Sequence, residues 1–136
     1  MTDIGELIHA KFDGLDPRIH IDIQGKVMKE ISGELFITAI GNIVSNAQKF
    51  TPIDGHIEIL VSSDGISIED TGPGIRKEYL PYIFDRLWKA DTSRTHGSGY
   101  GLGLSIARKI IEELHSMQIF VESEEGRGTK FLVRWR

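Results

Sequence analysis

The stretch Ile57-Glu-Ile-Leu-Val-Ser-Ser-Asp-Gly-Ile-Ser-Ile-Glu-Asp-Thr-Gly-Pro-Gly74 holds two apolar alternations separated by a turn signal. Ile57, Ile59 and Val61 share one side of a period-two pattern, Ile66 and Ile68 one side of the next, and Ser63-Asp-Gly65 turns the first into the second. A hairpin with one apolar face results. Asp70 ends its second strand and Gly72-Pro-Gly74 follows, so the carboxylate stands at the end of a sheet beside a loop with few side chains. Working outward, further strands are expected at Ile19, Ile21 and Ile23, near Ile119 and Val121, and at Phe131, Val133 and Trp135. The last two are joined across Glu124-Glu-Gly-Arg-Gly128. Phe36, Ile40, Ile43, Ala47 and Phe50 recur at helical spacing behind the candidate cap Ser32, and Leu102, Ile106, Ile110 and Leu114 recur every fourth residue. Weaker patterns give a helix from Ile4 to Phe12 and a short one from Lys77 to Ile83. The stretch from Asp85 to Gly101 has no period and reads as a functional or mobile loop. Helices beside a mixed, mostly antiparallel sheet predict an α+β two-layer sandwich, with helices on one face and solvent on the other.

The chain has 136 residues, 40% of them hydrophobic, enough for one core and too few for two comfortable domains. A single domain over residues 1–136 is therefore expected. The net charge of -4 and the lack of a Lys/Arg run argue against nucleic acid and against direct contact with an anionic membrane. Cysteine is absent, which removes disulfides and thiolate metal sites. No apolar run approaches the ~20 residues that span a bilayer, and the N-terminus lacks the pattern of a signal peptide. A cytoplasmic location and a monomeric isolated domain are the expectations.

Four short segments carry the chemistry: Asn42-Ile-Val-Ser-Asn46-Ala, Asp70-Thr-Gly-Pro-Gly-Ile75, Gly97-Ser-Gly-Tyr-Gly-Leu-Gly-Leu104 and Gly126-Arg-Gly-Thr129. At ~100° per residue, Asn42, Asn46 and Lys49 share a narrow arc about 110° from the centre of the apolar stripe, on the edge of the buried face. An asparagine there can offer a carbonyl oxygen to Mg²⁺ and a lysine a point charge to phosphate; two solvated asparagines are the plainer alternative. Asp70 can accept from an exocyclic amine of adenine, or simply close a turn. Gly97 to Leu104 runs into a helix start, where unobstructed N–H groups suit phosphates, or it serves as a hinge. Neither a P-loop nor a dinucleotide fingerprint fits, because no Lys-Ser or Lys-Thr follows the glycines and no strand precedes them.

In this order the segments resemble the catalytic, ATP-binding domain of sensor histidine kinases, within the wider family of gyrase, Hsp90, histidine kinase and MutL ATPases. Asn42 to Phe50 is similar to the N box, Asp70 to Ile75 to the first glycine box, Ile83-Phe-Asp-Arg-Leu-Trp-Lys-Ala-Asp91 to the F box, Gly99-Tyr-Gly-Leu-Gly-Leu104 to the second glycine box, and Gly126 to Phe131 to the third. The resemblance implies a Bergerat-type ATP-binding fold. It implies ATP and Mg²⁺ as ligands, with Asn46 on the metal, Asp70 on the adenine amine, Lys49 on the phosphates, Phe50 against the base and Thr129 helping to hold it. Gly72, Gly74 and Ile75 would border the base. Gly99, Tyr100, Gly101, Leu102, Gly103 and Leu104 would cradle phosphate, and Asp85 to Ser98 would form a lid carrying Arg86 and Lys89. Tyr100 stands where the family often has a small residue such as Thr, and Trp88 replaces the usual Tyr or Phe.

Asn42 separates the readings of function. By the resemblance, hydrolysing relatives carry Glu one turn before the magnesium Asn, and an amide cannot take a proton from water. A neutral imidazole attacks through its own lone pair and needs no such base. None of the five histidines (His9, His20, His56, His96, His115) has the setting of a phosphoacceptor. The expected partners are thus a separate dimerisation and histidine phosphotransfer domain of the same kinase, with residues 1–14 as a helical remnant or linker from it, and a response regulator downstream. A hydrolytic ATPase and a nucleotide-sensing module without transfer are the alternatives.

Overall fold

A computed structural model describes residues 1–85 and 101–135. In chain order they form β1 (Thr2–Asp3), α1 (Ile4–Phe12), β2 (Ile19–Ile23), β3 (Met28–Lys29), α2 (Gly33–Phe50), β4 (Ile57–Val61), β5 (Gly65–Asp70), a 3-10 helix (Lys77–Tyr82), α3 (Gly101–Arg108), a π-helical continuation (Lys109–Leu114), β6 (Gln118–Glu124) and β7 (Gly128–Arg134). Five strands make one sheet in the order β2-β4-β5-β7-β6; β2 runs parallel to β4 and every other neighbouring pair is antiparallel. β1 and β3 form a separate two-stranded ribbon. The expected α+β two-layer sandwich is the observed architecture.

Local chemistry explains the elements. The Asp3 carboxylate caps α1 by accepting from the Glu6 amide at 3.0 Å, and the Ser32 hydroxyl caps α2 by accepting from that of Leu35 at 3.3 Å. α2 stops at Thr51, whose extended backbone (φ -85°, ψ 130°) is what the following Pro52 demands. The β4–β5 turn is closed by hydrogen bonds in both directions between Ser62 and Gly65. Ile57, Ile59, Val61, Ile66, Ile68, Phe131 and Val133 then point to one face of the sheet and are fully buried there against Phe36, Ile40 and Ile43 of α2 and Leu104, Ala107 and Ile111 of the last helix. Each such aliphatic or aromatic side chain contributes roughly 1.5–3 kcal/mol by leaving water. The opposite face, with His20, Glu58, Glu69 and Phe120, meets solvent. Among the described residues, no helix is long and apolar enough to cross a membrane.

One helical stripe differs from expectation. Within the expected row Leu102, Ile106, Ile110, Leu114, Ile110 is buried but Ile106 is 42% exposed, while Leu104, Ala107 and Ile111, outside the row, are buried. A row of every fourth residue drifts about 40° per step around a helix, and here the backbone also widens into a π-helix from Lys109, which shifts the later side chains.

Candidate functional site

Asp70 is the centre of the site. It is the last residue of β5, pairs in register with Thr129 of β7, and both side chains are buried, 7% and 8% exposed. Its carboxylate closes the following turn by accepting from the Gly72 amide at 2.8 Å. Burial pushes the Asp70 carboxyl above its ordinary value; hydrogen bonds from the Gly72 and Thr129 backbone oppose this in part, and the Glu69 charge adds to it. No cation pairs with it among the described residues. A buried carboxylate left without a counter-charge retains acceptor capacity for a ligand donor.

The walls around it are built from backbone. At Gly72 an added Cβ would lie 2.9 Å from an Asp70 carboxylate oxygen and 3.0 Å from the Phe50 carbonyl oxygen. Gly74 has φ +78°, and a Cβ there would come within 2.3 Å of the Glu124 carbonyl. Gly128 leaves no room either, since its Cβ would strike the Asp70 carbonyl. Glycine is the residue that fits all three places. Ser123 ties these pieces together: its hydroxyl accepts from the Ile75 amide at 2.7 Å, lies 3.0 Å from the Gly128 carbonyl and 2.9 Å from the Thr129 hydroxyl. The Gly126 amide donates to the Pro73 carbonyl at 2.7 Å. The first and third glycine segments, 50 residues apart in sequence, are thus one surface. Sequence reasoning missed Ser123, and it could not have been found by motif, because its role depends on the β6–β7 register.

α2 supplies the next side. Asn42 and Asn46 are half-buried on its rim, Phe50 is half-buried at its last turn and Lys49 is exposed. The Phe50 carbonyl reaches the Gly72 loop, as described, so the end of α2 adjoins the end of β5. At the start of α3 a Cβ on Gly103 would stand 3.9 Å from the Asn42 Cβ, which places the second glycine segment beside the same helix rim. Leu104 is fully buried and Ile75 nearly so, so both shape the site from behind. Phe84 packs edge-on against Phe131 with ring centres 6.1 Å apart, behind Thr129 on β7. The structure therefore brings Phe50, Asp70, Gly72, Gly74, Ile75 and Thr129 together at the end of α2 and sets Gly103 beside Asn42 about two turns earlier on the same helix, with Asn46 and Lys49 between. Arg86, Lys89, Gly99 and Tyr100, together with Trp88, His96 and the lid expected up to Ser98, lie outside the described residues. Gly101 and Leu102 open α3.

The model of the histidine kinase-, DNA gyrase B- and HSP90-like ATPases matches residues 32–136. The chain belongs to this family. It is 38% identical over 127 residues to the sensor histidine kinase YclK of Bacillus subtilis, covering 86% of this chain and 26% of that protein. With the sensor protein SrrB of Staphylococcus aureus it shares 44% identity over 98 residues, 68% of this chain and 17% of the other. The chain thus spans about a quarter or less of these relatives. Among solved structures, the nucleotide-free catalytic domain of histidine kinase ThkA superposes with a TM-score of 0.76 at 27% identity, over 97% of this chain and 91% of that one. Full-length ShkA in complex with AMPPNP gives 0.78 at 25% identity, over 97% and 29%. Family membership makes this an ATP-binding domain of the sensor-kinase type.

Among the described residues no group of three or more His, Cys, Asp or Glu could hold a metal by itself. On the rim of α2 the side-chain carbonyls of Asn42 and Asn46 are neutral oxygen donors. That set suits a hard cation which keeps most of its shell from water and phosphate oxygens, as Mg²⁺ does, and does not suit zinc.

Proposed function

We propose that the chain binds Mg-ATP between α2 and the Asp70 end of the sheet and donates the γ-phosphoryl group to a histidine on a separate dimerisation domain of a two-component sensor kinase, in the cytoplasm. The observation that carries this reading is the buried Asp70 carboxylate, without a paired cation among the described residues and enclosed by Gly72, Gly74 and Gly128. Asp70 accepts from the adenine amine, Thr129 supports the base edge, and the three glycines let a flat ring reach the backbone. Phe50 and Ile75 flank the base. Asn46 presents its carbonyl to the metal, which when bound neutralises phosphate charge. Lys49 contacts phosphate, and the amides opening α3 at Gly101 to Leu104 receive it. By the family resemblance Gly99 and Tyr100 complete this cradle, and Arg86 and Lys89 approach the terminal phosphate.

Asn42 decides between transfer and hydrolysis. Its amide cannot act as a base toward water, so hydrolysis lacks the proton acceptor that an imidazole nucleophile does not require. Residues 1–136 act as one catalytic domain on this reading, and the phosphoacceptor and response regulator are separate partners. The test is incubation of the purified chain with labelled Mg-ATP, alone and with a histidine-bearing dimerisation domain. Label should appear on the histidine only in the mixture, and Asn46→Ala should abolish it while leaving the circular dichroism spectrum intact. Turnover of ATP by the chain alone at about 1 s⁻¹ or more, typical of enzymes, would instead support the hydrolytic reading.

A further inference from the structure

The C-terminal turn of α2 is held by a clamp that no glycine or asparagine segment includes. A helix end leaves its last carbonyls without partners. At α2, the Arg18 guanidinium takes two such groups, Nη1 donating to the carbonyls of Gln48, at 3.1 Å, and Thr51. The same guanidinium is fixed from behind by Asp16, with Nε donating to Oδ1 at 3.0 Å and Nη2 to Oδ2 at 2.7 Å. The Gln48 side-chain amide also donates to Asp16 Oδ2 at 3.0 Å, so both the backbone and the side chain of Gln48 are engaged. The Arg18 carbonyl accepts from the Ile57 amide at 2.9 Å, which anchors the clamp to the first residue of β4. Asp16 and Arg18 side chains are only 11% and 17% exposed, so the pair is shielded, and its two-pronged geometry fixes the guanidinium plane.

Lys49 and Phe50 lie between the two clamped carbonyls. We infer that Arg18, oriented by Asp16, is a positioning residue for nucleotide binding: it fixes the last turn of α2 so that Lys49 and the Phe50 backbone meet the ligand and the Gly72 loop in register. Arg18 touches no ligand on this account. The inference rests on the Mg-ATP reading above. A cation at a helix C-terminus also favours the helix itself, so the test must separate placement of Lys49 and Phe50 from simple stability.

The experiment is calorimetric titration of the chain with Mg-ADP, run for each variant at a temperature where its melting curve shows it folded. Arg18→Gln should weaken binding about tenfold, the scale on which sub-ångström misplacement acts, and Arg18→Lys, which offers a cation without the fork, should recover only part of it. In a Lys49→Gln background the Arg18→Gln loss should shrink, because the group being positioned is gone. If Arg18→Gln does not fold, Asp16→Asn, which keeps the shape and removes the orienting charge, carries the same comparison. A folded variant binding within about twofold of wild type, or an undiminished loss in the Lys49→Gln background, overturns the inference. Asp70→Asn is the control for the site: loss there with no change in Arg18→Gln overturns only the clamp, and a wild-type chain that does not bind Mg-ADP overturns both.

Discussion

Asp16 and Asp70 are two little-exposed carboxylates at opposite ends of the chain's chemistry, and their surroundings drive them in opposite directions. Asp16 is hydrogen-bonded foremost by the Arg18 side chain and then by Gln48, which hold its carboxyl far below its ordinary value. Asp70 has no cation beside it among the described residues, and burial pushes its carboxyl up despite two backbone N–H donors. The first is complete within the fold. The second is carried at a cost in stability, as groups are where a ligand completes the hydrogen bonding. On the proposed function, the contrast separates a structural carboxylate from a ligand-binding one without reference to any motif.

The largest effect that can break this contrast is on binding. Asp70→Asn should weaken Mg-ATP binding by roughly 1.5–3 kcal/mol, the loss of a charge-assisted hydrogen bond in a buried place. In the same variant the ligand-free melting temperature should stay level or rise, because a desolvated charge has been removed; a fall would make Asp70 structural after all. Asp16→Asn should do the reverse, lowering the melting temperature of the ligand-free chain by removing the charge that Arg18 pairs with. An unchanged melting temperature would contradict the assignment.

A smaller effect is expected from pH. Asp70, with its raised value, contributes stability that is present below its ordinary value of 3.8 and is lost as pH rises through the folded value. Asp16, with its lowered value, contributes stability that is present above 3.8 and is lost as pH falls toward the folded value. Acidification from neutrality should therefore bring the Asp70 gain before the Asp16 loss, and Asp70→Asn should erase the first while sparing the second. Nucleotide affinity should fall over the range in which stability gains, since a protonated carboxyl is a poorer acceptor. Melting curves and titrations across an acid pH series check both signs.

The fold was legible where one face of an element is wet and the other dry. Phe36, Ile40, Ile43 and Ala47 mark the buried side of α2, and the alternations at Ile57 to Ile68 mark the central hairpin, because burial there is one-sided. Alternation says nothing of strand direction, so the parallel pairing of β2 with β4 was not visible, and the two-residue strands β1 and β3 are too short to show a period. The last helix misled through Ile106, because a row of every fourth residue drifts around the helix and off its buried face. Within the candidate site, the strand end at Asp70 and the tight loop at Gly72 and Gly74 were legible because both are local features of the chain. Ser123 and the Asp16-Arg18 clamp were not, since each acts across 33 or more residues from one of its partners.

On the proposed function, Asp70 reads the amine of adenine. Guanine presents a carbonyl at that position, an acceptor facing an acceptor. Side-by-side calorimetric titration of the chain with Mg-ATP and Mg-GTP tests this most directly. Clear preference for ATP, lost together with ATP affinity in Asp70→Asn, is the predicted result, and equal affinity for the two nucleotides would contradict it.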